Sequence, residues 1–120
     1  MIRVYCAGNY SANNVIDVLR NIGIGEKTCA ELFHDGFSPF CPWHDASYVK
    51  DDCYSKETDV KQFHRHSMAW LQVSDCIYVI SGVGNCGGVD AEIKRAEELG
   101  IPVFYDYTDL IKFREEKPME

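Results

Sequence analysis

The segment that most limits what this chain can fold into is Ser74-Asp75-Cys76-Ile77-Tyr78-Val79-Ile80-Ser81-Gly82, followed by Gly84-Asn85-Cys86-Gly87-Gly88-Val89-Asp90-Ala91-Glu92. An apolar run of strand length stops at a glycine-rich turn, and a helix begins there with Glu92 in its early turns. Strand, glycine turn and helix in that order is how open α/β sheets build ligand sites at the carboxyl edge of their strands. The chain opens in the same way: residues 2–7 predict a strand, Gly8-Asn9-Tyr10-Ser11 a turn, and a helix follows. Two such corners in one small domain predict a crevice between them, with Glu92 at its mouth.

The remaining pattern supports an α/β sandwich. Helical periodicity from about Ala12 puts Val15, Ile16, Leu19, Ile22, Cys29, Ala30 and Phe33 near one face. Gly23 and Gly25 in the middle of that helix cost about 1 kcal/mol each relative to alanine, which predicts a kink or break there. Asp35-Gly36 ends it, glycine being the usual residue past a helix end. Residues 37–41 predict a short strand stopped by Pro42. Residues 43–57 are polar and mixed, and a loop of that length reads equally as a lid over a site or as a poorly ordered excursion. Thr58 opens a helix to about Val73, with Val60, Phe63, Ser67, Trp70 and Leu71 on one face and His64 and His66 at the surface or rim. Residues 76–81 predict a third strand. A helix over 88–99 turns Val89, Ile93, Ala96 and Leu99 inward and ends at Gly100. Residues 101–105 predict a fourth strand and 107–115 a last helix, followed by a frayed tail.

Strands and helices in strict alternation predict a flavodoxin-like, Rossmann-like three-layer sandwich. Its sheet is mainly parallel, four- to five-stranded, with helices on both faces. Right-handed crossovers place the first helix on one face and the later ones on the other. A strand order of 2-1-3-4 puts the switch point between strands one and three, where both glycine corners meet.

Composition removes several classes of function. At 120 residues the chain predicts one domain, over 1–120. No apolar run approaches the 18 or more residues of a membrane span. The start, Met1-Ile2-Arg3-Val4-Tyr5, lacks the charged and apolar regions of a signal peptide, so a cytoplasmic protein without a membrane partner is expected. A net charge of −7 with scattered basic residues argues against a nucleic-acid polymer as partner, though not against a small nucleotide held by backbone amides. Six cysteines are present; Cys6 and Cys76 fall inside predicted strands and read as small buried apolar residues. Cys41, His44, Cys53 and His64 or His66 are the one set that gathers zinc in principle. Their spacing matches no closed zinc pattern, and no metal is expected.

From the residues alone, Glu92 is either a helix-start acid favoured by the dipole or a catalytic carboxylate. Asp90 lies nearer the helix start and suits the first role better. The two are about 200° apart around the helix, so one of them faces the crevice. His44, at the end of the second strand, is a loop anchor or a substrate contact. Trp43, Tyr10 and Tyr48 stack on a nucleobase or pack inside.

Four pieces of the chain resemble the nucleoside 2-deoxyribosyltransferase superfamily, which includes deoxynucleoside-monophosphate N-glycosidases. They are Val4-Tyr5-Cys6-Ala7-Gly8-Asn9-Tyr10-Ser11, similar to a Tyr-x-Ala-Gly-Pro-Tyr-Ser start; Phe37-Ser38-Pro39-Phe40-Cys41-Pro42-Trp43-His44, similar to a Pro-x-x-Pro-x-x-His segment; Ser74-Asp75-Cys76-Ile77; and Cys86-Gly87-Gly88-Val89-Asp90-Ala91-Glu92 followed by Ala96 and Gly100-Ile101-Pro102-Val103. Together they run through residues 2–104. The resemblance implies cleavage or transfer of the N-glycosidic bond of a deoxynucleoside or nucleotide-like substrate, without a cofactor. Glu92 would be the nucleophile that forms a glycosyl-enzyme, as in retaining glycoside chemistry. Tyr5 would aim that carboxylate, which is compatible with its reading as a strand aromatic packed in the core. Asp75 would lie near the sugar; by its position alone it also reads as a cap or turn acid before the strand. Gly8, Asn9, Tyr10, Ser11, His44, Cys86 and Gly88 are the expected substrate contacts. It also implies a homodimer or higher homo-oligomer. Two positions depart from the pattern. Cys86 stands where the family carries aspartate or serine, and a thiol is a weak hydrogen-bond partner. The first turn lacks the arginine of the monophosphate-specific members, leaving backbone amides and Ser11 to hold an anion. Those departures favour the alternative, a non-catalytic protein that binds a nucleotide or an ADP-ribose-like ligand.

Overall fold

The strand residues alternate between two apolar environments, and that alternation organises the molecule. In a computed structural model, which describes residues 1–8, 12–49, 60–80 and 87–117, the elements run β1 (Arg3–Ala7), α1 (Val15–His34), β2 (Ser38–Phe40), a 3₁₀ helix (Pro42–Val49), α2 (Val60–Leu71), β3 (Cys76–Val79), α3 (Gly87–Leu99), β4 (Val103–Phe104) and α4 (Tyr107–Glu116). The sheet order is β2-β1-β3-β4 and every pairing is parallel. Tyr5 stands opposite both Phe40 and Ile77. The expected order and parallel sense are therefore those of the protein, with four strands among the described residues.

Val4, Tyr5, Cys6 and Ala7 are all fully buried because β1 is central and covered on both faces. Val4, Cys6 and Cys76 join Cys29, Leu32, Phe37 and Leu110 in a core beneath α1 and α4. Tyr5, Ala7 and Ile77 join Leu71, Val89 and Ala96 in a second core beneath α2 and α3. The expectation that all later helices lie opposite α1 is thus corrected at α4. A helix about 10 Å wide covers about two strands 4.8 Å apart, so α1 alone leaves the β3-β4 half of its face bare. Leu110, Ile111 and Phe113 of α4 fill that half.

Two glycines end helices as their sequence positions predict. Gly36 (φ 93°) follows α1, and Gly36 N–H donates to Phe33 C=O while Phe37 N–H donates to Leu32 C=O. Gly100 (φ 73°) does the same after α3, with Gly100 N–H to Glu97 C=O and Ile101 N–H to Ala96 C=O. Both are Schellman motifs, in which a left-handed residue lets the chain fold back and satisfy the last carbonyls. In α1 the accompanying apolar contact is Leu32 with Phe37, both fully buried. Asn14 caps the start of α1, its side chain accepting from Asp17 N–H at 2.9 Å.

The inward face of α1 differs from the expected one. Asn21, Gly25, Cys29 and Leu32 are buried, whereas Val15, Ile16, Leu19 and Phe33 are exposed. Leu99 of α3, expected inward, is also exposed. Nor does α1 break at its glycines. It runs unbroken because Gly25 makes room for Trp43 of the 3₁₀ helix: a Cβ at Gly25 would stand 2.2 Å from the indole. Trp43 is 2% exposed, so of its two readings the packing one holds. Part of the segment expected to be a loop is that 3₁₀ helix; residues 50–59 lie outside the described residues. Among the described residues, no helix is long and apolar enough to cross a membrane.

The two glycines of α1 predict opposite outcomes. Gly23 has open space around its Cβ position, so Gly23→Ala is expected to stabilise by about 0.5–1 kcal/mol through helix propensity. Gly25→Ala drives a methyl into the Trp43 ring and is expected to destabilise by about 1–3 kcal/mol. Urea denaturation of the two variants checks both signs.

Candidate active site

Glu92 sits in the second turn of α3, on the side that faces β1 rather than solvent. Its carboxyl group is largely buried, and the Tyr5 hydroxyl donates a hydrogen bond of 3.0 Å to Oε1. The second oxygen, Oε2, is fully buried and has no hydrogen-bond partner among the described residues. Burial pushes the Glu92 carboxyl up from the ordinary 4.5 to about 7, with the Tyr5 hydrogen bond working against the rise. Tyr5 itself is pushed strongly up, first by burial and then by the Glu92 charge, so it remains a proton-bearing donor across the physiological range. The arrangement is a carboxyl group with one oxygen aimed and the other unused. Asp90, one alternative for the crevice-facing acid, is exposed in the first turn of α3, where an acid suits the dipole.

Around Tyr5 is an aromatic and polar wall that the sequence pattern did not single out. Phe40 of β2 stacks on Tyr5 with ring centroids 5.3 Å apart, and Trp70 of α2 stacks near Phe40 at 5.7 Å. Ser67 of α2 contacts the Tyr5 hydroxyl and opposes the rise in its pKa. The next residue back, His66, lies 6.1 Å from the Phe40 ring, and its Nε2 is 3.7 Å from Oδ1 of Asp45 in the 3₁₀ helix. Asp45 is buried, its carboxyl is raised by that burial, and its charge is felt at Tyr5. The available signal was spacing: His66 and Ser67 lie three to four residues before Trp70, on the turn of α2 that faces β2.

The other expected site residues divide clearly. Asp75 is not beside Tyr5 and Glu92. Its Oδ2 accepts from Arg3 N–H at 2.7 Å while its own N–H donates to Arg3 C=O at 2.8 Å. It therefore clamps the amino end of β3 to β1. At about 3.3 Å per strand residue, that is roughly 13 Å from the carboxyl end where α3 is reached. The expectation fails because a residue that enters a parallel strand stands on the opposite edge from one that follows it. Gly8 follows β1 at its carboxyl end, and Gly88 lies in the first turn of α3, so both are on the Glu92 edge. Asn9, Tyr10, Ser11 and Cys86 lie outside the described residues.

His44 is turned to the far side of β2. Its Nε2 lies 3.5 Å from Glu26 Oε2 of α1, and its side chain is mostly exposed. It lines a cleft of about 740 Å³ between α1, the end of β2 and the 3₁₀ helix, with Cys29, Ala30, Phe33, Cys41 and Tyr48 among its walls. Phe40 and Asp45 border both this cleft and the wall around Tyr5. Tyr48 is exposed and stands edge-on to His66 at 5.7 Å. The zinc set does not assemble among the described residues, where no three metal-ligating side chains converge. His44 faces Glu26, His66 faces Asp45, and Cys41 contacts Cys29, with its thiol pushed up by that hydrogen bond and by burial; Cys53 lies outside the described residues.

No family model and no curated protein matches the sequence. Among solved structures, the chain is similar to a 2-deoxyribosyltransferase from the psychrotolerant bacterium Bacillus psychrosaccharolyticus. The TM-score is 0.60 at 15% sequence identity, over 90% of this chain and 89% of that one. At that identity the likeness shows the fold alone, an α/β sandwich on a parallel sheet.

The raised Glu92 carboxyl has a thermodynamic consequence whose sign is fixed. Between about pH 4.5 and 7 the unfolded chain releases this proton while the folded protein keeps it, so folding stability falls as pH rises through that window. Glu92→Gln removes the desolvated charge and is expected to be the more stable protein at pH 8, by up to about 3 kcal/mol, with the gain vanishing near pH 4. Denaturant midpoints of the two proteins at pH 4, 6 and 8 measure this directly; a pH-independent difference would show that Glu92 does not titrate in this way.

Proposed function

We propose that the protein cleaves or transfers the N-glycosidic bond of a deoxynucleoside or nucleotide-like substrate, with Glu92 as nucleophile. The observation that carries this reading is the buried Glu92 carboxyl with Oε1 held by Tyr5 and Oε2 without a partner among the described residues. A carboxylate attacks a sugar carbon best when it is desolvated and aimed, because no water shell must be stripped and no rotamer searched. Oε2 attacks the anomeric carbon, the base departs, and a glycosyl-enzyme forms. Water or a second base then takes the sugar from Glu92. Tyr5, which remains protonated, holds Oε1 through both steps and limits rotation of the carboxylate. The similarity in fold to a 2-deoxyribosyltransferase and the four resembling segments support the same chemistry. A homo-oligomer belongs to this reading as well. The exposed Val15, Ile16, Leu19 and Phe33 of α1 supply apolar surface for a second copy to cover.

Incubation with deoxynucleosides and their 5′-monophosphates, followed by chromatography for free base, is expected to show release that falls by about 10³-fold or more in Glu92→Ala. A 2-fluoro-arabinosyl nucleoside should leave its sugar on the peptide containing Glu92, seen by mass spectrometry. Ligand-induced thermal stabilisation that survives Glu92→Gln, with no base released by the unaltered protein, would instead mark a non-catalytic binder of nucleotides or ADP-ribose-like ligands.

The reacting form of Glu92 is the carboxylate, so the acid limb of kcat/KM should rise with pH through about 7. Tyr5→Phe removes the hydrogen bond that favours the carboxylate. Its acid limb should therefore move to higher pH, and its maximum should drop by about 10²-fold. A pH–rate profile that is unmoved in Tyr5→Phe counts against Tyr5 as the residue that aims the nucleophile.

A further inference from the structure

A nucleobase leaves poorly as an anion, so the reaction proposed above needs a proton donor as well as a nucleophile. Glu92 and Tyr5 cannot supply it: Glu92 must be ionised to attack, and Tyr5 keeps its proton. Resting on that reading of function, we infer that His66, oriented by Asp45, is the group that protonates the departing base.

Four observations place this pair on the Tyr5 side of the sheet. His66 Nε2 and Asp45 Oδ1 are 3.7 Å apart, and the Asp45 side chain is only 13% exposed. The Phe40 ring that stacks on Tyr5 at 5.3 Å also lies 6.1 Å from the His66 ring. Ser67, adjacent to His66 on α2, contacts the Tyr5 hydroxyl that holds Glu92. The Asp45 charge acts on that same hydroxyl. A carboxylate 3.7 Å from one imidazole nitrogen orients the ring and leaves Nδ1 to meet the substrate. The His66 side chain is 35% exposed.

The step balances. As Glu92 Oε2 bonds the anomeric carbon, the C–N bond breaks and its electron pair stays with the base. The His66 proton goes to a base nitrogen, and His66 becomes neutral. In the second half-reaction, water or an acceptor base returns a proton to His66 while displacing Glu92 from the sugar.

The test compares two leaving groups. One substrate is the natural deoxynucleoside that the protein cleaves fastest. The other is 7-methyl-2′-deoxyguanosine, whose cationic base leaves as a neutral molecule and needs no proton. His66→Gln and Asp45→Asn, with folding checked by circular dichroism, are expected to lose about 10²–10⁴-fold in the single-turnover rate of base release from the natural substrate. They should retain the single-turnover rate of base release from the methylated one within about threefold, because that half-reaction then needs no proton from His66, whereas Glu92→Gln should lose both. Equal losses on the two substrates, or no loss on either, overturn the assignment of His66 while leaving the Glu92 reaction standing. Failure of the unaltered protein to cleave either substrate overturns the enzymatic reading itself, and this inference with it.

Discussion

The interaction on which the rest depends is the hydrogen bond from Tyr5 to Glu92. It joins the centre of β1 to the second turn of α3 across the α2–α3 core. A carboxyl group does not enter such a core without cost: its charged form is disfavoured until something rewards it. One oxygen receives the Tyr5 proton bond, and the other receives nothing from the described residues. A side chain retained only for packing would do better as leucine or methionine. Tyr5 is itself fixed, fully buried in register with Phe40 on one side and Ile77 on the other. The aim of the carboxylate is therefore set by the sheet, an element far stiffer than a loop, and Tyr5 is held in a core that Val89, Ile93 and Ala96 of α3 help to form.

The sheet achieves this by keeping its two faces chemically separate. The face under α1 and α4 is filled by Val4, Cys6, Cys76, Leu32 and Leu110, with no carboxylate among them. The opposite face combines apolar packing with Tyr5, Ser67 and Glu92. Gly25 and Trp43 belong to the first face, yet they also position the second. Trp43 lies flat on α1 where a side chain at 25 would stand, and this seats the 3₁₀ helix so that Asp45, two residues later, comes to His66. An α1 with a larger residue at 25 would push the 3₁₀ helix outward and take Asp45 with it.

The order of strands, their parallel sense and the glycine ends of α1 and α3 were legible from the sequence, each fixed by local chemistry or by a two-residue alternation that any strand must obey. The residues alone left Asp90 and Glu92 as alternatives for the crevice, and the pairing of Glu92 with Tyr5 was implied by the resemblance. What was not legible depended on tertiary context. Val15, Ile16, Leu19 and Phe33 look like a buried face because hydrophobicity alone defines the stripe. The true inward stripe carries Asn21, Gly25, Cys29 and Leu32, because small residues are needed where Trp43 packs, and nothing in the helix says so. Asp75 was placed near the sugar by the resemblance alone; its other reading, an acid at the turn before the strand, is where the clamp on Arg3 puts it. His66 looked like a rim histidine because its partner, Asp45, lies 21 residues away across β2's end.

Burial raises two carboxyl groups on this side of the sheet, and the difference between their surroundings gives them different work. Glu92 has only a neutral donor, Tyr5, against it, so its charge is weakly supported and its proton is held to about pH 7. Asp45 has two histidines in range, and both His66 and His44 favour its ionised form. The first environment suits a group that must give up its charge to a sugar carbon. The second suits a group that orients a neighbouring histidine. In the proposed reaction the two polar residues on the turn of α2 that faces β2 divide accordingly: His66 is the proton donor, and Ser67 touches the tyrosine that holds Glu92.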